Sequence, residues 1–268
     1  TTDISQILSG SFNNMGVPGA KVYHLLAPGY GNIAGVPGGQ ANPYFVRFAS
    51  SPNTTILADA VAQQPTFFTL WIGNNDVLGY ASSGGAGVNQ AGNPDPSTYG
   101  GSDITDPTVF AMAFGAIVEN LTANGAKGAV ANIPNVMTTA YFTTVPYNPL
   151  NPADPNFGPM IPVLNQHYAQ INQVFQILGV PERSIIFHTN QASAVVVKDE
   201  YLADLSQQMT TVMIAGGVDP MVATLLGNIY GQARQANEAD LMVLPSMSVI
   251  GQLNQDVYNM LVGMGVPP

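Results

Sequence analysis

Apolar runs alternate with polar, glycine-rich segments along the chain. The clearest run is Phe-Phe-Thr-Leu-Trp-Ile at 67–72, and it ends in Gly73, Asn74, Asn75 and Asp76. A short apolar run that is rich in aromatics and closed by turn residues is typical of a strand buried on both faces of a parallel sheet. Functional side chains in such sheets lie just beyond the carboxyl ends of the strands. The polar residues after the run are therefore the first candidate site, although Asn and Asp also form plain turns.

Helices are predicted on both sides of this strand. An apolar face over 54–63 predicts one helix, with Asn53 as its N-cap. Asp106 and Pro107 predict the start of another, which runs to about Ala123 and is apolar almost all round. A helix of that kind packs on a sheet, and we expect its outer side to be covered as well.

A second buried strand is predicted at 127–133. The order strand, helix, strand implies a parallel pair with a right-handed crossover. The pattern also predicts helical turns at 21–26, a helix over 162–178, β-type runs at 184–188 and 194–197, a helix starting at Asp219–Pro220, a brief strand at 241–244 and a helix over 252–262. The segments 27–53, 77–105 and 134–160 are expected to be loops.

Composition narrows the classes of partner. The chain has 268 residues, 46% of them hydrophobic, enough for a sizeable core. Only 8% are charged, and the net charge is −10 with no basic stretch, which excludes nucleic acid and anionic lipid as expected partners. With 28 Gly and 21 Pro and no period, long structured loops are expected.

The absence of cysteine excludes disulfides, thiol catalysis and thiolate metal sites. No apolar run approaches the ~20 residues of a membrane-spanning helix. The sequence starts at Thr1 without an initiator methionine or a leader, so we expect a processed chain or a piece of a longer protein. Few lysines and abundant Asn, Gln, Thr and Gly favour an extracellular or bacterial cell-envelope location.

Acidic residues in 77–105 and just after it raise the possibility of a calcium site. Asp95, Asp103 and Asp106 supply carboxylates, but their spacing fits no EF-hand loop. A solvated loop is the better interpretation. No metal and no cofactor are expected.

Two short motifs point to a specific chemistry. Asn-x-Gly-x-x-Gly at 14–19 forms a turn that is able to aim backbone N–H groups at an anion, or else a plain Gly-Pro turn. Gly-x-Asn-Asp follows at 73–76, at the end of the predicted strand. Together they resemble the second and third sequence blocks of the SGNH (GDSL) family of serine esterases and lipases, in a bacterial branch. Parts of 107–150 are also similar, so we take the likeness to cover the whole chain.

The resemblance implies an α/β fold: a three-layer α/β/α, flavodoxin-like parallel sheet in a single domain over 1–268, incomplete at both ends. Residues 198–268 are then a helical insertion. The implied activity is ester hydrolysis through an acyl-serine, with no cofactor. Matched by motif position, the Gly19 N–H and the Asn75 side chain hold the oxyanion, a role in which one donor is worth roughly 3–4 kcal/mol. Gly73 and Asp76 support them, Asp76 by bracing the loop.

Two family blocks are missing. The nucleophile block Gly-Asp-Ser has no counterpart except Gly10-Ser11-Phe12, which is too close to Gly16 to lie on a separate strand. We therefore expect Ser11 to be an ordinary serine. No histidine stands in Asp-x-x-His, and a serine without a base is unreactive. The three histidines are interpreted as structural: His24, His167 and His188.

Three hypotheses remain open. The chain is the middle of a longer hydrolase, with nucleophile and base outside these residues; or a non-catalytic SGNH-like relative that binds glycans or serves as an envelope scaffold; or an unrelated α/β binding domain. On the first, a small-molecule, lipid or glycan ester is the substrate, and another segment or a partner chain completes the sheet. Residues 1–268 alone are then expected to be inactive. The loops 77–105 and 134–160 should border the site and set specificity.

Overall fold

The computed structural model describes residue 4 and residues 6–250, and it shows a mixed α/β protein. Contacts within the chain divide into two compact units, residues 1–136 and 137–268. Across the described residues, no helix combines the length and the apolarity needed to cross a bilayer.

The first unit is built around a parallel strand pair. β1 and β2 run parallel, with Phe67 opposite Lys127 and Leu70 opposite Val130, so the predicted parallel pairing is confirmed. The helices and strands of this unit are α1 (Pro43–Val46), α2 (Ile56–Ala62), β1 (Phe67–Leu70), α3 (Asn74–Ser82), α4 (Pro107–Thr122) and β2 (Lys127–Val130), with 3-10 helices at Val22–Leu26, Ile33–Gly35 and Pro96–Thr98.

Capping side chains fix the helix starts. The Asp106 carboxylate accepts from the backbone N–H groups of Thr108 and Val109, both at 2.8 Å, which confirms the predicted N-cap of α4. The prediction of Asn53 as the cap of α2 is wrong. Thr55 is the N-cap, and its hydroxyl accepts from Ala58 N–H at 3.0 Å. A threonine two residues later satisfies the same orphan donors of the first turn.

Helices cover one side of the strand pair. Leu57 of α2, Leu70 of β1 and Ile117 of α4 are buried in one apolar cluster with Val22 of the first 3-10 helix. The full burial predicted for both strands is wrong, because Phe67 is 60% exposed, Trp71 is 64% exposed and β2 is exposed throughout. The reason is that the helices cover one face only: Phe68, Leu70 and Ile72 point toward the helix cluster, so residues 67 and 71 point to the opposite face. Among the described residues the sheet also has only two strands, so one edge of β1 has no neighbour.

The prediction of a loop from residue 77 is also wrong at its start. α3 occupies 74–82 and leads directly out of the turn after β1. Asn, Asp and Gly at its start are weak helix formers, and the helix has little apolar periodicity, so its sequence does not distinguish it from a loop.

The second unit is mainly helical. Its helices and strands are α5 (Ala140–Thr143), α6 (Ile161–Ile177), β3 (Val196–Lys198), α7 (Ser206–Ala215), α8 (Pro220–Tyr230) and β4 (Ala233–Gln235), with 3-10 helices at Gly158–Met160, Pro181–Arg183 and Leu244–Ser248 and one at Val136–Thr138 across the boundary between the units. β3 and β4 are antiparallel. Phe175 of α6 and Met209 of α7 lie in one buried cluster with Ala223 of α8. The helices predicted at 162–178 and from Asp219–Pro220 are confirmed, and the one at 252–262 lies outside the described residues.

The strand predicted at 184–188 does not form. Asn172 of α6 accepts from Ile185 N–H and donates to Ile185 C=O, each at 2.8 Å. Asn165 makes the same pair of bonds to Phe187. These two amides satisfy the backbone that a neighbouring strand would otherwise pair. At 241–244, Met242 makes one isolated bridge to Val145 rather than a strand.

Candidate functional site

The turn at 14–20 presents an uncommitted backbone donor. Asn14 Oδ1 accepts from Gly16 N–H at 2.9 Å, and Ala20 N–H donates to Val17 C=O at 3.1 Å. Between them Gly19 has φ +80°, a left-handed conformation that glycine adopts without strain. Gly19 is exposed, and its N–H has no hydrogen-bond partner among the described residues. This N–H is therefore free to bind an acceptor from solvent.

The junction of β1 and α3 needs glycine at position 73. Gly73 has φ +110° and is the N-cap of α3. A Cβ at this position would lie 2.7 Å from Ile133 Cδ1 and 2.9 Å from the Phe110 ring. Left-handed backbone and close packing therefore both exclude a larger residue, and the chain turns sharply here as expected.

Asn75 lies against the 14–20 turn. Its Nδ2 donates to the C=O of Ala20, the residue after Gly19, at 2.9 Å across 55 positions of sequence. An amide NH₂ has two hydrogens, so this bond leaves a second donor available. The structure therefore places the 73–76 motif next to the 14–19 motif, the two motifs that the family resemblance associates with each other.

A cavity of about 820 Å³ borders this junction. Gly16, Ala20, Asn74 and Asn75 line it, together with β1 and apolar side chains of α2 and α4. Gly19 is not among its lining residues. Asn74 Oδ1 is buried here and has no hydrogen-bond partner among the described residues. A buried acceptor of this kind is costly unless a donor reaches it.

Asp76 is nearly inaccessible at 2% exposure and connects three segments. Its carboxylate accepts from Val22 N–H at 2.9 and 3.2 Å and from the Thr105 hydroxyl at 2.8 Å. Burial raises the pKa of Asp76, while the hydrogen bonds and the Lys21 charge oppose the rise. The side chain therefore holds the segment after the 14–20 turn against α3.

Lys21 is a residue that the sequence analysis missed. Its ammonium group is buried and donates to the C=O groups of Asp103, at 2.8 Å, and Gly100, at 3.2 Å. Burial lowers the pKa of Lys21, and the charges of Asp76 and Asp103 act in the opposite direction. Lys21 therefore ties the 14–20 turn to the end of the 77–105 segment. Its position two residues after the glycine motif was the available signal.

No hydrogen bond joins a serine hydroxyl to a histidine ring in the part of the chain that the structure describes; the bond between Ser193 and His188 involves the backbone N–H of His188. The Ser11 hydroxyl donates to Gln63 Oε1 at 2.8 Å. His24 Nδ1 accepts from Lys21 N–H at 3.0 Å, and burial, reinforced by the Lys21 charge, lowers the pKa of His24 to about 4. His167 and His188 are exposed.

The acidic residues considered for calcium are used as turn and helix caps. The Asp95 side chain accepts from Ser97 N–H, and the Asp103 side chain accepts from Val88 N–H and Gln90 Nε2. Asp106 caps α4 as described. Within residue 4 and residues 6–250, no group of three or more metal-ligating side chains comes together.

The geometry supplies neutral hydrogen-bond donors at the carboxyl end of β1, held in place by a buried carboxylate. No family model matches the chain, and no curated protein or solved structure matches it either.

Proposed function

We propose that this chain is part of an ester hydrolase of the SGNH type, in which the Gly19 N–H and the Asn75 side chain bind the oxyanion. The observation that supports this is the bond from Asn75 Nδ2 to Ala20 C=O, which places an amide donor one residue from the free Gly19 N–H. Neutral donors fixed near each other stabilise negative charge that develops on an ester carbonyl oxygen. The finer fold that accompanies this proposal is a three-layer, flavodoxin-like domain at the cell surface or outside the cell.

The nucleophilic serine and its histidine base come, on this proposal, from outside residues 1–268. Ser11 is bonded to Gln63 rather than to a histidine, which supports that division. The attacking hydroxyl adds to the ester carbonyl, its proton passes to the base, and the alcohol leaves to give an acyl-serine that water then hydrolyses. The residues described here position and stabilise the oxyanion in both steps.

A strand from another part of the protein or from a partner chain would complete the sheet. β1 is paired on one edge only among the described residues, and the 820 Å³ cavity follows residues 65–75. Phe67 and Trp71 are more than half exposed, and no donor within the described part of the chain reaches the buried Asn74 Oδ1. An added parallel strand supplies backbone N–H groups and covers apolar surface at that edge.

Kinetics of the intact protein test the oxyanion role. We expect hydrolysis of short-chain aryl esters, and we expect Asn75→Ala to lower kcat by about 10²–10³ with little change in KM. Asn120→Ala is the matched control, since Asn120 Nδ2 also donates to a backbone C=O, that of Ala116 at 2.8 Å, from an exposed helix position. Equal kcat for Asn75→Ala and wild type would remove Asn75 from the mechanism. An intact protein without esterase activity would favour the non-catalytic binding or scaffold alternative.

A further inference from the structure

A second cavity in the first unit, of about 960 Å³, is a cleft walled by aromatic rings. His24 stacks on Tyr30 with ring centres 4.4 Å apart and planes 11° apart. Tyr23 contacts both His24, at 4.4 Å, and Tyr99, at 5.6 Å, in edge-on geometry. We call this cavity the aromatic cleft. Its lining also includes residues 39–43, prolines 94 and 96 and the outer face of α4. Its volume is within the range of small-molecule sites, about 300–1,000 Å³.

None of the described residues that line the aromatic cleft is Asp, Glu, Lys or Arg, although the whole chain carries a net charge of −10. Burial lowers the pKa of His24 to about 4, so its ring is neutral at physiological pH. Burial likewise raises the pKa of Tyr23, Tyr30 and Tyr99, so the phenols keep their protons. A charged ligand would lose hydration here without an ion-pair partner among the lining side chains, whereas an apolar ligand has no such hydration to lose.

Met112 gives the cleft an uncovered apolar wall. It lies on the outer face of α4 and is 71% exposed. The sequence of α4 is apolar almost all round, which is typical of a helix covered on both sides. A methionine beside aromatic rings also adapts readily to ligands of different shape. A ligand in the aromatic cleft would cover this side chain.

Asn42 connects the aromatic cleft to the 14–20 turn. Its Nδ2 donates to Pro18 C=O at 2.9 Å and to the Tyr30 hydroxyl at 3.1 Å. A Cβ on Gly19 would lie 3.9 Å from the same Nδ2. The wall of the cleft is therefore hydrogen-bonded to the peptide group that joins Pro18 to Gly19, the residue whose free N–H we assign to the oxyanion.

We propose that the aromatic cleft binds the uncharged aryl or medium-chain alkyl group of the ester whose carbonyl Gly19 and Asn75 polarise. This inference rests on the proposed function for its link to catalysis. It assigns the substrate class as neutral, apolar esters, and it excludes esters with a charged or zwitterionic group at this position.

Two fluorescent probes with the same ring system test the chemistry of the cleft. N-phenyl-1-naphthylamine is neutral, and 8-anilinonaphthalene-1-sulfonate carries one negative charge. Titrated into the intact protein, the neutral probe should bind at a single saturable site and the anionic one at least tenfold more weakly. Equal affinity for the two probes would overturn the assignment of a neutral ligand.

Substitutions in α4 test whether the neutral probe binds in the aromatic cleft. Met112→Asp places a charge at the cleft wall and Ala116→Trp fills the cleft, and each should weaken binding of the neutral probe at least tenfold. Met221→Asp on an exposed site of α8 and Ala111→Trp on α4 outside the cleft are matched controls and should leave binding unchanged. Unchanged binding in both cleft variants, with native circular dichroism, would overturn the proposal.

The Asn75→Ala variant separates the two proposals. It should bind the neutral probe as wild type does, because Asn75 does not line the aromatic cleft. If the intact protein lacks esterase activity and the probe still responds to Met112→Asp, the cleft is a ligand site and the hydrolase proposal fails. If esterase activity depends on Asn75 but the cleft variants leave kcat/KM for neutral aryl esters unchanged, the cleft proposal fails alone.

Discussion

The side chain of Asp76 connects the two candidate motifs through hydrogen bonds to Val22 N–H and to the Thr105 hydroxyl. It follows Asn75 directly on α3, so any shift of its carboxylate also shifts the Asn75 amide. The bonded partners lie on different segments of the first unit, which makes this carboxylate a local crosslink rather than a helix cap. Its removal leaves the buried Val22 N–H and the Thr105 hydroxyl without a partner.

We predict that Asp76→Ala lowers the free energy of unfolding by roughly 2–5 kcal/mol, since each buried group left unpaired costs about 1–3 kcal/mol. Esterase kcat of the intact protein should fall as well, because the Asn75 donor is no longer held against the 14–20 turn. Urea denaturation measures the first effect and steady-state kinetics the second. Thr105→Val removes one donor and should cost only about 1 kcal/mol.

Asp59→Ala is the control for this series. Asp59 also accepts several hydrogen bonds, from Ser50 N–H and from the Ser50 and Thr54 hydroxyls, but away from the two motifs. It should change stability without changing kcat. If Asp76→Ala kept a wild-type kcat, Asn75 would not depend on Asp76 for its position.

The junction between β1 and α3 determines where α3 starts and therefore where the Asn75 side chain lies. We predict that Gly73→Ala lowers the free energy of unfolding by more than about 1–2 kcal/mol, because the left-handed backbone adds that strain and the new Cβ meets Ile133 and Phe110 below 3 Å. The midpoint temperature of thermal unfolding should decrease. Esterase kcat should also decrease, because α3 carries Asn75.

Gly125→Ala separates backbone strain from displacement of the site. Gly125 follows α4 with φ +82°, and a Cβ there meets nothing within 4 Å. Stability should fall by about 1–2 kcal/mol while kcat stays unchanged. An identical activity loss in both variants would mean that strain alone, and not the position of α3, affects catalysis.

Elements with local signals were predictable from sequence. Asp106 before Pro107 defines the start of α4 through its own side-chain bonds, and α6 has a regular apolar stripe. The run 184–188 was mistaken for a strand because Asn165 and Asn172 on α6 satisfy its backbone, and such long-range amide bonds leave no periodicity in sequence. α3 was mistaken for loop because its composition favours turns.

The candidate site was predictable from sequence only where a motif marks it. The adjacency of Asn75 and the 14–20 turn follows from motif resemblance, and the bond to Ala20 C=O agrees with it. The contacts of Lys21 with Asp103 and of Asn42 with Pro18 were not predictable. Both join segments far apart in sequence whose spacing has no regular pattern, so only the tertiary fold reveals them.

At the scale of the whole molecule, the feature with the largest consequence is the edge of β1 that pairs with no strand among the described residues. Phe67 and Trp71 are exposed on the uncovered face of the same strand, which also borders a cavity lined by apolar side chains of α2 and α4. An open strand edge beside an apolar groove favours pairing with another chain. Burying an added strand of about six apolar residues contributes roughly 10 kcal/mol, at about 1.5–3 kcal/mol per side chain. The net stability of a domain is about 5–15 kcal/mol, so the contribution of the added strand is comparable to the net stability of the whole domain.

On the proposed function, we predict that residues 1–268 produced alone associate, unfold without a cooperative transition and lack esterase activity, whereas a longer protein that supplies the missing strand is active and unfolds cooperatively. Differential scanning calorimetry and sedimentation velocity measure the two physical properties. Trp71→Lys in residues 1–268 should reduce association, because a charge on an open strand opposes edge pairing, yet it should restore no activity. A monomeric mass with one sharp thermal transition for residues 1–268 would show that the two-stranded sheet is sufficient by itself. The added strand would then be unnecessary, and the exposed β1 edge would need another explanation.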